Sequence, residues 1–146
     1  MLHAQDLPDI KVQDRKGKAV STENWIDNDT PFVVSFWSTT CKPCLKELDV
    51  FSENYDDWND ETPFRVIAVC VDDSRSVARA KAMVAGNGWD MFGVFYDVNS
   101  DLKRAMNVAM VPHVFVFDKD GKQVYAHTGY KPGDELELVK VIKGLK

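Results

Sequence analysis

Basic charge is in short supply: 18 Lys and Arg stand against 23 Asp and Glu, a net charge of −5 over 146 residues. Binding nucleic acid through its phosphates needs clustered Lys and Arg that release counterions, so general DNA or RNA binding is not expected. Long apolar runs are missing too. None approaches the roughly 18 residues of a membrane span, and Met1-Leu2-His3-Ala4-Gln5-Asp6 lacks the basic start and hydrophobic stretch of a complete secretion signal. Cysteine is scarce: three residues are too few for a disulfide scaffold, and an odd count leaves one thiol over after any single pairing. Repeats, low-complexity tracts and Pro/Gly/Ser-rich linkers are absent as well. Residues 1–146 therefore read as one domain, with 1–6 as a flexible N-terminal segment.

Hydrophobic residues make up 45% of the chain, and their spacing predicts an α/β protein. Phe32-Val33-Val34-Ser35-Phe36-Trp37, Phe64 through Val71, and Val114-Phe115-Val116-Phe117 are apolar at nearly every position, the pattern of strands buried on both faces. Leu45, Leu48, Phe51, Tyr55 and Trp58 recur at helical steps after Cys41, as do Leu136, Val139, Ile142 and Leu145 near the C-terminus. A weaker helix is expected from Ser76 to Ala85, stopping at Gly86, and a short one from Asn99 or Ser100. Asp118-Lys119-Asp120-Gly121 is a turn signal that makes Val114–Phe117 and Gln123–Thr128 a hairpin. The sum is a sandwich with a mostly parallel central sheet and an antiparallel edge.

Cys41-Lys42-Pro43-Cys44 lies where a buried strand hands over to a helix. A thiol there faces unpaired backbone N–H groups and the positive end of the helix dipole, which favour the thiolate, so Cys41 is the expected nucleophile. Lys42 adds positive charge. Pro43 fits the first turn, where its missing N–H costs nothing, and Cys44, one turn inside, suits a shielded resolving thiol. A zinc knuckle would need two further ligands at comparable spacing, whereas the chain offers Cys70 inside a strand and the scattered His3, His113 and His127; no metal is expected. Val111-Pro112 stands at the entry to another buried strand. It reads either as an edge-strand start or, beside a redox motif, as a cis-proline packed on the disulfide.

Phe36-Trp37-Ser38-x-x-Cys41-Lys42-Pro43-Cys44-x-x-Glu47, followed by Val111-Pro112-x-x-Phe115-Val116-Phe117-Asp118-x-Asp120-Gly121 and Gly129, resembles the thioredoxin superfamily. Pro112 follows Cys44 by 68 positions, longer than in a minimal thioredoxin, and the extra helix and strand resemble the TlpA and ResA type of extracytoplasmic thiol-disulfide oxidoreductase. The resemblance implies a three-layer sandwich: a mixed sheet with parallel core strands, a C-terminal antiparallel hairpin and a central helix-strand insertion. It also implies a Cys41–Cys44 dithiol/disulfide exchanging with protein thiols or disulfides, apocytochromes among them. No cofactor beyond that disulfide is implied; an upstream electron donor is, and so is a location outside the cytoplasm. Leu2-His3-Ala4-Gln5 reads equally as the scar of an export signal or as a cytoplasmic N-terminus.

The departures from the family are informative. The strand Asp of thioredoxins is Ser35, so the acid/base role passes, by resemblance to ResA-like proteins, to Asp73 in Cys70-Val71-Asp72-Asp73-Ser74, with Lys42, Pro43, Glu47 and Pro112 in support. Thr40 replaces the usual Trp, and His113 the usual Thr after the proline; with Trp37 and Val111 they form the expected partner-docking set. His113 is first a packed strand residue, and Cys70 a small hydrophobe in its strand. The lean is toward a reductant. The enzymatic alternative is a peroxiredoxin-like peroxidase, disfavoured because Val34 stands where it needs a proline before Ser38. The alternative of another class is a non-catalytic binding module.

Overall fold

The computed structural model describes residues 6–145. Of the N-terminal segment expected to be flexible, residues 1–5 lie outside the described residues, as do His3 and the candidate export scar; Asp6 bridges to Lys122. In chain order come strands β1 (Lys11–Gln13), β2 (Ala19–Ser21) and β3 (Phe32–Trp37), helix α1 (Lys42–Glu61), β4 (Arg65–Cys70), α2 (Val77–Asn87), β5 (Gly93–Tyr96), α3 (Asp101–Ala105), β6 (His113–Phe117), β7 (Gln123–Thr128) and α4 (Asp134–Lys143). One sheet runs β2-β1-β5-β4-β3-β6-β7. Its centre, β5-β4-β3, is parallel; β6 and β7 are antiparallel on one side, and β1 and β2 on the other. This is the thioredoxin-like sandwich with its added α2-β5 unit.

Alternation along the strands sends side chains to two cores. On one face Val33, Trp37, Val66, Ala68, Cys70, Val114 and Val116 pack with Cys44, Leu48 and Phe51 of α1, Ala80 and Val84 of α2, and Leu138, Val139 and Ile142 of α4. On the other, Phe32, Val34, Phe36, Ile67, Val69, Phe115 and Phe117 meet Leu102 and Met106 of α3 and its following turn, together with Trp25 and Leu7. Every residue of β3 is buried, which explains its unbroken apolar reading.

Three boundaries differ from expectation. Helix α2 continues past Gly86 and ends at Gly88, whose left-handed φ of 71° supplies the stop. In α4 the buried face uses Leu138 beside Val139 and Ile142, while Leu136 points to solvent, because a 3.6-residue period puts 138 and 142 in line and 136 off it. The hairpin of β1 and β2, three residues per strand, is too short to give a readable alternation.

Candidate active site

The motif forms the first turn of α1. Cys41 is the N-cap in extended conformation, its sulfur accepting the backbone N–H of Cys44 at 3.3 Å, with Pro43 in the first turn. Cys41 and Cys44 are joined as a disulfide, Cα to Cα 5.3 Å. Cys41 is half-buried and Cys44 buried, so one sulfur of the bond is reachable and the other is not. Lys42, Pro43 and Thr40 are exposed around it.

Sheet register brings the second motif to the same end. His113 pairs with Phe36 near the C-terminal end of β3, and the Val111–Pro112 peptide just before it is cis, with Pro112 buried. The Pro112 carbonyl accepts the Gly129 N–H at 2.7 Å, whereas Val111 has no backbone hydrogen bond among the described residues. Met110 beside it is 61% exposed, an apolar side chain that no sequence pattern singled out. The His113 ring stacks on Phe115, centroids 4.4 Å apart; burial holds the imidazole below its usual pKa, with His127 adding to the shift.

Two of the named residues lie elsewhere than expected. Trp37 is fully buried, edge-on to Trp89 with centroids 5.5 Å apart, so it backs the site and presents nothing to a partner. Its place at the end of an all-buried strand explains this. Asp73 is 51% exposed, and Arg75 holds it by a hydrogen bond of 3.1 Å that keeps its carboxyl below the usual pKa. A carboxyl already satisfied by a guanidinium at the surface is a poor acceptor for a buried thiol.

The buried acid is Glu47, 3% exposed, one turn beyond Cys44. Ser35 Oγ donates to its Oε1 at 3.3 Å, and burial, with lesser repulsion from Asp134 and Glu135, pushes its pKa up to about 8. The carboxyl that other thioredoxins are expected to carry on the strand is here supplied from the helix to the strand serine. Asp72, rather than its neighbour, contacts the loop before the motif: Ser38 Oγ donates to it at 2.7 Å and Thr39 Oγ1 at 2.5 Å. Alternation explains the difference. Positions 66, 68 and 70 face α1 and α2, and 72 continues that series while 73 leaves it.

Cys70, the third thiol, is completely buried at the end of β4, and burial pushes its pKa up to about 12. A cavity of about 500 Å³ is lined by Pro31, Pro63, Asp118 and Lys119 at the opposite end of the sheet.

The sequence profile of the AhpC/TSA family matches residues 4–126. The thiol-disulfide oxidoreductase ResA of Bacillus thuringiensis is 26% identical over 134 residues, 91% of this chain and 73% of that protein. Among solved structures, an uncharacterised thioredoxin-like protein from Porphyromonas gingivalis is 45% identical at a TM-score of 0.82, covering 99% of this chain and 94% of that one. The thioredoxin domain of a thiol-disulfide oxidoreductase from Bacteroides vulgatus shares the fold at a TM-score of 0.72 and 21% identity, over 97% of this chain and 99% of that one.

Proposed function

The chain belongs to the AhpC/TSA family, in its thioredoxin-like form, and on that premise we propose that it is a thiol-disulfide oxidoreductase acting on partner proteins, as a reductant. The observation that carries the reading is the asymmetric disulfide: Cys41 reachable at a helix N-cap, Cys44 buried behind it. Reduced Cys41, its thiolate favoured by the Cys44 N–H, the helix terminus and Lys42, attacks a partner disulfide. A Cys41–partner bond forms and the second partner sulfur leaves as thiolate. Cys44 then gives its proton to Glu47 and attacks the Cys41 sulfur, expelling the reduced partner. Two electrons have moved from the dithiol to the partner. The acceptor is the ionised form of Glu47, about a tenth of the molecules at pH 7, and with a pKa near that of an ordinary thiol, about 8.5, it takes the Cys44 proton at little cost.

The partner's extended backbone pairs with the free main chain of Val111, and Met110, Pro43 and Thr40 supply side-chain contact. By resemblance to the ResA type, the partners are proteins with exchangeable disulfides, apocytochromes included, and the domain works outside the cytoplasm on electrons from an upstream donor. Fractionation of the source cells against compartment markers checks the location. No helix among the described residues is long and apolar enough to cross a membrane.

The deciding experiment is a titration in graded glutathione buffers with acid quench, alkylation and mass readout. Cys41 and Cys44 should disappear as one two-electron couple with a midpoint below that of glutathione, while Cys70 always labels; a pair that never titrates sinks the reading. Cys44→Ser should accumulate a mixed disulfide through Cys41. An assay with hydrogen peroxide separates the peroxidase alternative, for which Ser38, engaged with Asp72, offers no free hydroxyl hydrogen.

A further inference from the structure

The inserted helix α2 touches the redox motif through a short chain of polar contacts. Thr39, buried two residues before Cys41, donates its hydroxyl to Asp72 at 2.5 Å and accepts from Arg79 Nη2 of α2 at 2.8 Å. Asp72 also takes the Ser38 hydroxyl at 2.7 Å and the Thr39 backbone N–H at 3.4 Å. The Ser38 carbonyl in turn accepts the Cys41 N–H at 3.1 Å, closing the turn that delivers Cys41 to its cap position. One carboxylate thus fixes both residues at the head of that turn, and one guanidinium pins the bridging hydroxyl from the far side.

We propose that Asp72, Thr39 and Arg79 are positioning residues of the redox pair, through which α2 holds the Ser38–Cys41 turn and sets, by two opposed charges, how easily the disulfide accepts electrons. The inference rests on the thiol-disulfide reading. It assigns the insertion a role in tuning the motif beyond widening the sheet. Asp72 bonds to Ser38 and Thr39, and Arg79 to Thr39, two and three positions before Cys41, so both charges stand against the turn that carries the thiolate. Asp72 disfavours the thiolate and Arg79 favours it. A stabilised thiolate stabilises the dithiol and makes the pair more oxidising.

The test measures the equilibrium of the Cys41–Cys44 couple with glutathione, and the Cys41 alkylation rate at fixed pH, in the parent, Asp72→Asn, Arg79→Gln and the double variant. Asp72→Asn keeps an acceptor oxygen but loses the charge; it should shift the equilibrium about threefold to tenfold toward the dithiol, tenfold being about 30 mV. Arg79→Gln should shift it the other way by a similar factor, and the double variant should return toward the parent. Asp72→Glu should restore most of the parent value. Shifts of one sign in both single variants, or no shift in either, overturn the proposal, since mere loosening of the loop does not reverse sign between them. If Asp72→Asn does not fold, Arg79→Gln, at an exposed helix position, carries the test alone: an unchanged or dithiol-favouring equilibrium overturns it. A parent protein whose pair never titrates would instead defeat the underlying oxidoreductase reading.

Discussion

A carboxyl 3% exposed beside a serine hydroxyl keeps its proton until about pH 8, while in the unfolded chain it gives it up near 4.5. Folding therefore binds a proton between those values. Stability from this group is fully present below about pH 4.5 and is lost as pH rises through about 8. Glu47→Gln removes the loss: at pH 9 the variant should be more stable than the parent by about 5 kcal/mol at most, with the gap closing by pH 4, as measured by denaturant unfolding. The same substitution removes the proton acceptor, and turnover of a disulfide substrate at pH 8, where about half of Glu47 is ionised, should fall on the order of 10²-fold. Asp73→Asn should do neither. With its side chain half exposed and tied to Arg75, its kcat/KM is expected within twofold of the parent; a loss as large as that of Glu47→Gln would return the acid/base role to the loop. Glu47 was legible in the sequence only as a supporting residue of the family motif, three positions after Cys44, while the acid/base role was assigned to Asp73. The choice between Asp72 and Asp73 was not, because it depends on the strand alternation carrying on beyond the last paired residue, Cys70.

At the scale of elements, the hairpin of β6 and β7 turns through Gly121, whose φ is 86° and whose missing side chain leaves room for Ile26. A Cβ there would overlap the Ile26 side chain and be strained by the backbone as well. Gly121→Ala should lower stability by about 2 kcal/mol in thermal or denaturant unfolding, with the redox midpoint unchanged, since the turn lies at the end of the sheet away from the disulfide. That turn and the long helix α1 were readable because their signals are local: Asp-x-Asp-Gly between apolar runs, and apolar steps of three and four after a helix-capping position. The β1-β2 hairpin was not. It is held by pairing of Gln13 with Tyr96 and by Arg15, which donates to the carbonyls of Asp90 and Phe92 at 2.7 and 2.9 Å, contacts more than 70 residues apart in the chain. Trp37 was misread for a similar reason. Its neighbour Trp89 arrives with the insertion, although the run Phe32–Trp37 already read as buried on both faces.

For the whole molecule, the redox state of the pair and the stability of the fold form one thermodynamic cycle. The disulfide closes a loop of only three residues, so it restricts the unfolded chain little, and any difference in stability between the two states reports how the folded site prefers disulfide or dithiol. A reductant's fold prefers the disulfide. The oxidised protein should therefore melt at a higher temperature than the reduced one, each 1.4 kcal/mol of difference corresponding to about 30 mV in potential. A higher melting temperature for the reduced protein would make the domain an oxidant and leave the rest of the mechanism running in reverse.

The first described strand contacts also give the molecule a polarity. Leu7 donates its N–H to the Gly121 carbonyl at 2.9 Å, and Gly121 follows the end of β6 that pairs with Phe32, whereas Cys41 follows the opposite end of β3. Six residues of strand, about 20 Å, separate the two poles. A linker or affinity handle grafted ahead of Asp6 would leave from the pole remote from the disulfide. The protein could then be immobilised on a bead or an electrode with its reactive sulfur turned outward to the solution.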